Sequence, residues 1–318
     1  MILNNLRIFS QNVRKNNLII KTILEVNNNF DIIFIQEPSW TTIRSISSSA
    51  DNEGVPLVDI VNYPNWLTFA REPDMTKECP RVAIFINVRL TSFRFSFYKD
   101  IIDHRDILLA SFFINSKLFW IMNVYSDSSH STIKYLKNTE INIRNLLVMT
   151  RDFNIHNSLW DPSFLHHSSI SNDLIIIADS FKLNLSVPIN QVSTRYSDNN
   201  NDSNSVINLM FLWCNSAELN NNSIHPNWRL ISDHAPLSIT IPIAEINIDL
   251  QKRIIVKNSN EEDSFIKKVI TSFAKLDTSN ILENYQLKKV ITDFADIMES
   301  AWTKNSKIIN IMKHSKSW

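Results

Sequence analysis

The stretch "VMTRDFNIHNSLWDP" (residues 148–162) leads from a short apolar segment straight into a cluster of polar side chains. It predicts a buried strand that ends at an acid and an amide, Asp152 and Asn154, with Phe153 between them on the opposite face. In layered α/β folds, the ends of strands form the rim where ligands bind. Arg151, directly before the acid, is the feature of this stretch that needs an explanation.

The composition is that of a folded globular protein. Of the 318 residues, 44% are apolar and 20% are charged, and one large domain with an appendage is expected at this length. Lys plus Arg and Asp plus Glu both number 32, so net charge gives no argument for or against a polyanionic partner. The two cysteines, Cys79 and Cys214, cannot form a disulfide framework, and there is no CxxC metal pair.

The sequence shows no feature of a membrane or secreted protein. No apolar run reaches the roughly 18 residues that a membrane span needs. The N-terminus also lacks the basic-then-apolar pattern of a signal peptide, so an intracellular protein without membrane association is expected.

Glycine is nearly absent from the chain. Gly54 is the only glycine, where an average usage of about 7% would give roughly twenty. Asparagine is abundant, as in residues 27–29 and 199–201. Because asparagine tolerates positive φ angles better than most residues, we expect it to occupy many of the turns.

The hydrophobic pattern predicts two packed β-sheets with helices outside. About nine short strands are indicated, among them residues 6–13, 31–38, 81–88, 107–114, 118–125, 146–150, 205–213 and 235–243. Helices are predicted over 16–29, 132–145 and 171–183; in the first, the expected apolar face consists of Leu18, Ile19, Ile23 and Val26. Too few helices are present for strict βαβ alternation, which favours an α+β arrangement.

The pattern changes near residue 246. The strand pattern of residues 1–245 stops, and residues 246–318 show helical patterns over 264–276 and 287–302. We therefore expect one α/β domain followed by a helical tail or linker. The last sixteen residues carry lysines and no acid, which is typical of a solvated basic face and less typical of a phosphate-contacting tail.

Polar residues recur where apolar strands begin or end. A single buried polar residue is more often a satisfied structural group than a catalyst, but six such sites in one chain favour a common functional site. Their members are Asn12, Glu37, Tyr125, Asp152 with Asn154, Asn208, and Asp233 with His234.

These residue types suit phosphodiester hydrolysis. Glu37, with a second carboxylate and an amide oxygen, offers the hard oxygen ligands that Mg²⁺ prefers. Asp152 can orient or deprotonate a water molecule, and Asn154 can fix that water or the phosphate. His234 can donate a hydrogen bond to a phosphoryl oxygen as charge develops there.

The ordered motifs "QN", "IQEP", "NVYS", "DFN", "INLMF" and "SDHAPL" resemble the endonuclease/exonuclease/phosphatase superfamily. They are most similar to the endonuclease domain that precedes reverse transcriptase in non-LTR retrotransposons, over roughly residues 5–243. The resemblance implies a four-layer α/β sandwich with its site at one end of the two sheets. It also implies Mg²⁺ as the cofactor, with Mn²⁺ as an alternative, and DNA as the partner. A reverse transcriptase domain in a full-length element and a nuclear location follow from the same resemblance.

The resemblance also assigns roles to individual residues. Glu37 matches the metal-binding glutamate, Asn12 the asparagine beside it, and Tyr125 the tyrosine that contacts phosphate. Asp152 and Asn154 match the pair that handles the attacking water. At the end of the match, Asp233 and His234 correspond to the final acid–histidine pair, with Asp233 counted among the metal residues.

Two residues depart from the family pattern. Arg151 stands where the motif has glycine, and Asn208 stands where the family has an aspartate that accepts the second ring N–H of the histidine. An asparagine can accept through its oxygen but carries no charge, and the corresponding change in serine proteases costs about 10⁴ in turnover. Impaired catalysis is therefore expected.

The two departures suggest a decaying copy of a mobile-element endonuclease. Gly to Arg and Asp to Asn can each follow from one G-to-A change, although an AT-rich genome would explain the overall composition equally well. A catalytically dead relic that at most binds nucleic acid is the alternative. A phosphatase acting on inositol lipids or sphingomyelin would share the fold, but the motifs "RDFNIHNSLWD" and "SDHAPL" favour the mobile-element branch.

Overall fold

The computed structural model describes residues 5–46, 57–60, 63–71, 79–98, 100–114, 117–161, 164, 168–186, 193–197, 204–213, 221–242, 251–275 and 284–310. The chain divides into two compact units, Met1–Ile246 and Asn247–Trp318. Within the described residues, no helix combines the length and apolarity needed to cross a lipid bilayer.

The first unit contains two large mixed sheets and three helices. Its strands are β1 (Asn5–Asn12), β2 (Ile32–Gln36), β3 (Ile43–Ile46), β4 (Leu57–Ile60), β5 (Trp66–Ala70), β6 (Val82–Asn87), β7 (Ser96–Tyr98), β8 (Ile107–Ile114), β9 (Lys117–Tyr125), β10 (Leu146–Asp152), β11 (Leu183–Leu185), β12 (Asn208–Trp213), β13 (Asn221–Ile224) and β14 (Leu237–Pro242). Its helices are α1 (Asn17–Val26), α2 (Ser131–Asn138) and α3 (Ser169–Ser180).

Each large sheet is built around one parallel pair of strands. The first sheet has the order β13-β14-β1-β2-β6-β5, and the second has the order β11-β12-β10-β9-β8-β7. β1 is parallel to β2, and β9 is parallel to β10, whereas the other pairs in both sheets are antiparallel. The expected α/β sandwich is thereby confirmed.

Burial follows the apolar pattern in most elements. Every residue of β2 is buried, as expected for a continuous apolar run covered on both faces. The buried face of α1 differs from the expected one, because it consists of Ile19, Ile20, Ile23 and Leu24. Leu18 and Val26 are 66% and 71% exposed. Apolar residues surround more than half of this helix, so periodicity alone cannot choose which side faces the sheet.

Two further expectations about the first unit were incomplete. Helix α2 ends at Asn138 and does not continue to residue 145. The short strands β3, β4, β5, β7, β11 and β13 were not predicted, because runs of three to five residues give little periodicity.

The second unit contains the two expected helices, α4 (Asn260–Phe273) and α5 (Asn284–Asn305). The Ser259 side chain caps α4 by accepting a hydrogen bond from the Glu262 N–H. Edge-to-face contact between Phe273 and Phe294 joins the two helices. Two short strands not indicated by the sequence, β15 (Gln251–Ile254) and β16 (Lys307–Asn310), pair with each other.

Backbone conformations that favour glycine are carried by other residues. Ten described non-glycine residues have positive φ, and only three of them are asparagine: Asn145, Asn154 and Asn258. The others include lysine, arginine, glutamate, histidine and leucine, so among the described residues asparagine occupies some of these positions and residues less suited to them occupy the rest. Side chains with a Cβ are strained in this region, and each such residue costs about 1 kcal/mol relative to glycine.

Replacing Lys182 by glycine should stabilise the protein. Lys182 is exposed, follows the end of α3 and has a φ of 58°, the position and conformation that glycine favours after a helix. We expect Lys182→Gly to raise the free energy of unfolding by about 1 kcal/mol. Lys21→Gly, at an exposed position inside α1, is the matched control and should lower it by about the same amount. Chemical denaturation measures both, and a loss of stability in Lys182→Gly contradicts the prediction.

The two units should also be separable, as the change of pattern near residue 246 suggests. Limited proteolysis should release a resistant fragment that corresponds to residues 1–245, identified by mass spectrometry. Progressive degradation without such a fragment would contradict this prediction.

Candidate active site

The topology brings the candidate residues to one end of the two sheets. Asn12 is the last residue of β1. The strand parallel to β1, β2, ends one residue before Glu37. Tyr125 and Asp152 end the parallel strands β9 and β10 and lie side by side in register. Asn208 begins the antiparallel strand β12 directly opposite Asp152.

Asn12 connects the two sheets at this end. Its side-chain nitrogen donates hydrogen bonds to Glu37 Oε2 at 3.0 Å and to Asp152 Oδ2 at 2.8 Å. Its side-chain oxygen accepts from the Arg14 N–H at 2.9 Å, which fixes the orientation of the amide. One amide group therefore holds two carboxylates that come from different sheets.

Glu37 is held in a strained backbone conformation. Its φ is 47°, which is unusual for glutamate. Two backbone hydrogen bonds fix it: its N–H donates to the Arg81 carbonyl at 2.8 Å, and its carbonyl accepts from the Lys15 N–H at 2.8 Å. The strain turns the chain at the end of β2, next to the side chain that Asn12 contacts.

Asp152 and Asn154 are linked in a turn at the end of β10. The Asn154 N–H donates to Asp152 Oδ1 at 3.2 Å. The Asn154 side-chain nitrogen donates to the Ser126 carbonyl at 2.7 Å. Because that carbonyl can only accept, the side-chain oxygen of Asn154 is the atom left to act as an acceptor for a ligand or water.

His234 is buried between several oxygen atoms. Its Nδ1 lies 3.1 Å from Asn208 Oδ1 and 3.7 Å from Asp152 Oδ2, and its Nε2 lies 3.5 Å from Asp233 Oδ1. Negative charge therefore flanks both ring nitrogens, although Asn208 itself is neutral.

Thr194 determines which atom of Asn208 faces the histidine. The Asn208 side-chain nitrogen donates to the Thr194 carbonyl at 3.3 Å. Since a carbonyl can only accept, the Asn208 oxygen must point to His234, and His234 Nδ1 must be the donor. The hydroxyl of Thr194 reinforces this arrangement by accepting the N–H groups of Ile207 and Asn208, both at 2.9 Å.

Asp233 is surrounded by cations. Its Oδ2 lies 3.2 Å from an Arg14 nitrogen and 3.6 Å from Arg195 Nε. Its Oδ1 is buried and accepts no hydrogen bond from the described residues. A buried carboxylate oxygen without a donor is costly, which marks this atom as a candidate contact for a bound ligand.

Tyr125 lies between the carboxylates and Arg81. Burial raises the pKa of Tyr125, and the charges of Glu37 and Asp152 raise it further, so the phenol keeps its proton and can act as a donor. The Arg81 guanidinium lies 4.5 Å from the centre of the tyrosine ring. Arg81 is fixed in turn by a two-pronged contact with Asp106, through Nε at 2.9 Å and a terminal nitrogen at 2.5 Å.

The side chain of Arg151 lies outside the described part of the structure. Its backbone belongs to β10 and pairs with Val124 on one side and Leu209 on the other. The expected interference of this cation with the site is therefore untested.

The oxygen set fits a Mg²⁺ site only partly as expected. The structure joins Glu37 to Asp152 through Asn12, whereas the third expected metal residue, Asp233, contacts His234 and two arginines. Among the described residues, no cluster of three or more His, Cys, Asp or Glu side chains is placed to hold a metal ion. Mg²⁺ often uses only one or two carboxylates and completes its shell with water and phosphate, so the Glu37–Asp152 pair is compatible with it.

Among known proteins, this chain is similar to several solved structures. No protein-family model matches the chain, and no curated protein matches it. The endonuclease domain of TRAS1, a telomere-specific non-LTR retrotransposon, aligns with a TM-score of 0.53 at 14% identity, over 74% of this chain and 98% of that domain. The AP endonuclease LMAP from Leishmania major aligns with a TM-score of 0.53 at 10% identity, over 75% of this chain and 88% of that one.

The chain has the endonuclease/exonuclease/phosphatase fold. The resemblance drawn from the motifs is thus confirmed at the level of the fold. At identities of 10–14%, these likenesses establish the fold.

Three further residues contact the candidate site residues but give no signal in the sequence. Thr194 lies at the start of an Asn/Ser/Asp-rich segment, residues 193–204, that gave no readable pattern. Arg81 directly precedes β6, and nothing in its sequence context distinguishes it from other arginines beside strands. Ser232 belongs to the "SDHAPL" motif beside the acid and the histidine, and its hydroxyl donates to the Asn12 carbonyl at 2.9 Å.

Replacing Asn12 by aspartate tests whether the two carboxylates can share a cation. Asn12→Asp removes the donor and adds a third carboxylate, so it should lower the melting temperature without divalent ions. It should also increase the rise in melting temperature on adding MgCl₂, because a cation then relieves the repulsion. Asn184→Asp, at an exposed position in β11, is the matched control and should show neither effect. Thermal melts with EDTA and with MgCl₂ measure both, and an equal Mg²⁺ response in the two variants contradicts the metal assignment.

Proposed function

We propose that this protein hydrolyses phosphodiester bonds in DNA with the help of Mg²⁺, as an endonuclease of mobile-element type with reduced activity. The observation that carries the proposal is the meeting of two carboxylates from separate sheets on one amide, with a histidine beside them. Carboxylates, a protonated phenol and an imidazole within one buried rim supply the groups that this reaction needs.

Each residue has a role in the proposed reaction. Asp152 takes a proton from the water that attacks phosphorus, and the Asn154 side-chain oxygen orients that water. His234, protonated on both ring nitrogens, keeps its Nδ1–H on Asn208 and donates from Nε2 to a phosphoryl oxygen as negative charge develops there. Tyr125 donates a second hydrogen bond to a phosphoryl oxygen. The bond from phosphorus to the leaving sugar oxygen breaks, and that oxygen takes a proton from solvent.

Glu37 and Asp152 would hold the metal ion, and Asn12 keeps their carboxylates together. When bound, Mg²⁺ supplies Lewis-acid polarisation of a phosphoryl oxygen and balances developing charge. Asp233 Oδ1 lies 3.5 Å from His234 Nε2, so a phosphate oxygen has to take this place beside Nε2 during the reaction.

The mobile-element assignment is supported by the motifs and by the fold. The motifs are most similar to those of retrotransposon endonucleases, and the TRAS1 endonuclease domain shares the fold over 98% of its length. A reverse transcriptase domain in a full-length element and action in the nucleus belong to the same proposal. The competing proposal is a relic that binds nucleic acid without cutting it, and it is favoured by the neutral residue at position 208.

The arrangement around Asn208 predicts a moderate loss of activity. In serine proteases, the corresponding asparagine costs about 10⁴ because it favours the wrong histidine tautomer. Here the Thr194 carbonyl orients the Asn208 amide so that the productive tautomer is retained. The remaining loss is the difference between a neutral and a charge-assisted hydrogen bond, about 1–2 kcal/mol.

Asn208→Asp should therefore increase Mg²⁺-dependent nicking of supercoiled plasmid about tenfold, at about 1.4 kcal/mol per factor of ten. Arg151→Gly should have a smaller effect alone, because it adds no catalytic group, and the double variant need not be additive. His234→Ala in each background is the negative control, and equal cooperative melting must be shown for all variants.

The outcomes separate the two proposals. If the unaltered chain nicks DNA as fast as the Asn208→Asp variant, the asparagine causes no impairment. If folded Asn208→Asp and double variants remain inert while they bind DNA, the relic proposal is correct and the endonuclease proposal is wrong.

A further inference from the structure

The segment directly before the acid–histidine pair exposes large apolar side chains. Within four residues, Trp228 is 48% exposed, Leu230 is 50% exposed and Ile231 is 72% exposed. We call these three residues, together with Tyr196, His225 and Arg229, the rim patch. Isolated exposed apolar residues are normal on a protein surface, but three so close together beside a polar site indicate a binding surface.

The aromatic residues of the rim patch form two ordered pairs. The rings of His225 and Trp228 stack with centroids 3.9 Å apart and planes only 5° from parallel. A hydrogen bond of 2.7 Å between His225 Nε2 and the Ser238 hydroxyl holds the His225 ring in place. Burial lowers the pKa of His225, so its ring is neutral at neutral pH. The ring that supports Trp228 therefore carries no charge.

The second pair consists of a cation on an aromatic ring. The guanidinium of Arg229 lies 4.6 Å from the centre of the Tyr196 ring. The backbone of both residues is tied to the site, because the Arg229 carbonyl accepts from Gln11 Nε2 at 3.3 Å and the Tyr196 N–H donates to the Asp233 carbonyl at 2.8 Å. The patch is therefore fixed relative to the site residues.

Among the described residues, three arginine side chains lie in or beside the rim patch. Arg14 and Arg195 both contact the single carboxylate of Asp233, at 3.2 and 3.6 Å, and Arg229 adds a third guanidinium. Arg14 and Arg195 are 52% and 41% exposed, so their charge is accessible to a ligand. Aromatic faces combined with exposed guanidinium groups match a nucleic-acid strand, whose bases stack and whose phosphates are anionic.

We propose that the rim patch binds one DNA strand next to the bond that is cut, with a base stacked on Trp228 and phosphates contacted by Arg229 and Arg195. This inference rests on the proposed function and adds to it the surface that positions the strand. Leu230 and Ile231 then lie against the apolar faces of neighbouring bases, which explains why they stay exposed in the free protein. Leu230 has a φ of 55°, so the chain accepts backbone strain where it presents this segment.

Binding of a fluorescein-labelled oligonucleotide in EDTA tests the inference without cleavage. Fluorescence anisotropy with single-stranded and duplex DNA should show that Trp228→Ala weakens binding of at least one form about tenfold, the usual effect of losing one stacked base. Trp228→Phe should retain most of the affinity, because it keeps an aromatic face. Arg229→Ala should reduce the slope of log affinity against log salt by about one.

Trp302→Ala is the matched control, because Trp302 is also partly exposed (39%) and lies in the second unit, in α5. It should leave DNA affinity unchanged. Melting curves for all variants establish that they are folded, and the Trp228→Phe variant keeps the test valid if Trp228→Ala is unstable.

The results distinguish a wrong surface from a wrong function. If the protein binds and nicks DNA but Trp228→Ala and Arg229→Ala bind as well as the unaltered chain, the rim patch is not the strand-binding surface and the proposed function stands. If the protein binds no DNA in any form, both proposals fail. If sedimentation shows self-association that Trp228→Ala abolishes, the patch is an interface between copies of the chain and the inference is wrong.

Discussion

A single amide group, the side chain of Asn12, joins the two sheets at the functional end of the protein. Glu37 follows a strand of the first sheet and Asp152 ends a strand of the second, so their carboxylates have no local reason to meet. Each accepts one N–H from the same nitrogen, at 3.0 and 2.8 Å. Like charges in a partly buried site repel, and the two donors offset that repulsion. The site exists in this form because one residue has two hydrogens to donate.

The sheets are aligned for this contact by a polar layer between them. Gln36 donates to Asn123 at 2.7 Å, and the Thr150 and Ser10 hydroxyls are 3.0 Å apart, so both contacts cross from one sheet to the other. Apolar side chains allow sheets to slide with little change in energy, whereas a buried hydrogen-bonding group without its partner costs about 1–3 kcal/mol. The polar layer therefore fixes the offset of the two sheets, and this offset places the strand ends of the site opposite one another.

Much of the fold, and the placement of polar residues at the ends of strands, can be predicted from the sequence for a physical reason. Parallel strands carry their ends to the same edge of a sheet, so Tyr125 and Asp152, at the ends of the parallel strands β9 and β10, lie side by side. The contacts that refine the site were not predictable in the same way. Thr194 lies in a polar segment without periodicity. Its backbone carbonyl accepts from the Asn208 side chain, and because every residue has such a carbonyl, the sequence does not mark this contact. The buried side of α1 was misjudged because its apolar residues surround the helix too broadly for pattern alone to decide.

Non-glycine residues at positive φ reduce the stability of this chain. Ten described residues other than glycine have positive φ, and at about 1 kcal/mol each their combined strain is comparable to the 5–15 kcal/mol that stabilises a typical domain. The backbone keeps these strained turns because the hydrogen bonds between strands and the packing of the core around them hold it in place. Position 208 likewise keeps its contacts although its residue differs from the family pattern. The asparagine there gives up a charge, but the Thr194 carbonyl holds its oxygen 3.1 Å from His234, and Asp152 and Asp233 still flank the ring. The chain thus carries considerable backbone strain, while the described residues of the candidate site keep their contacts with one another.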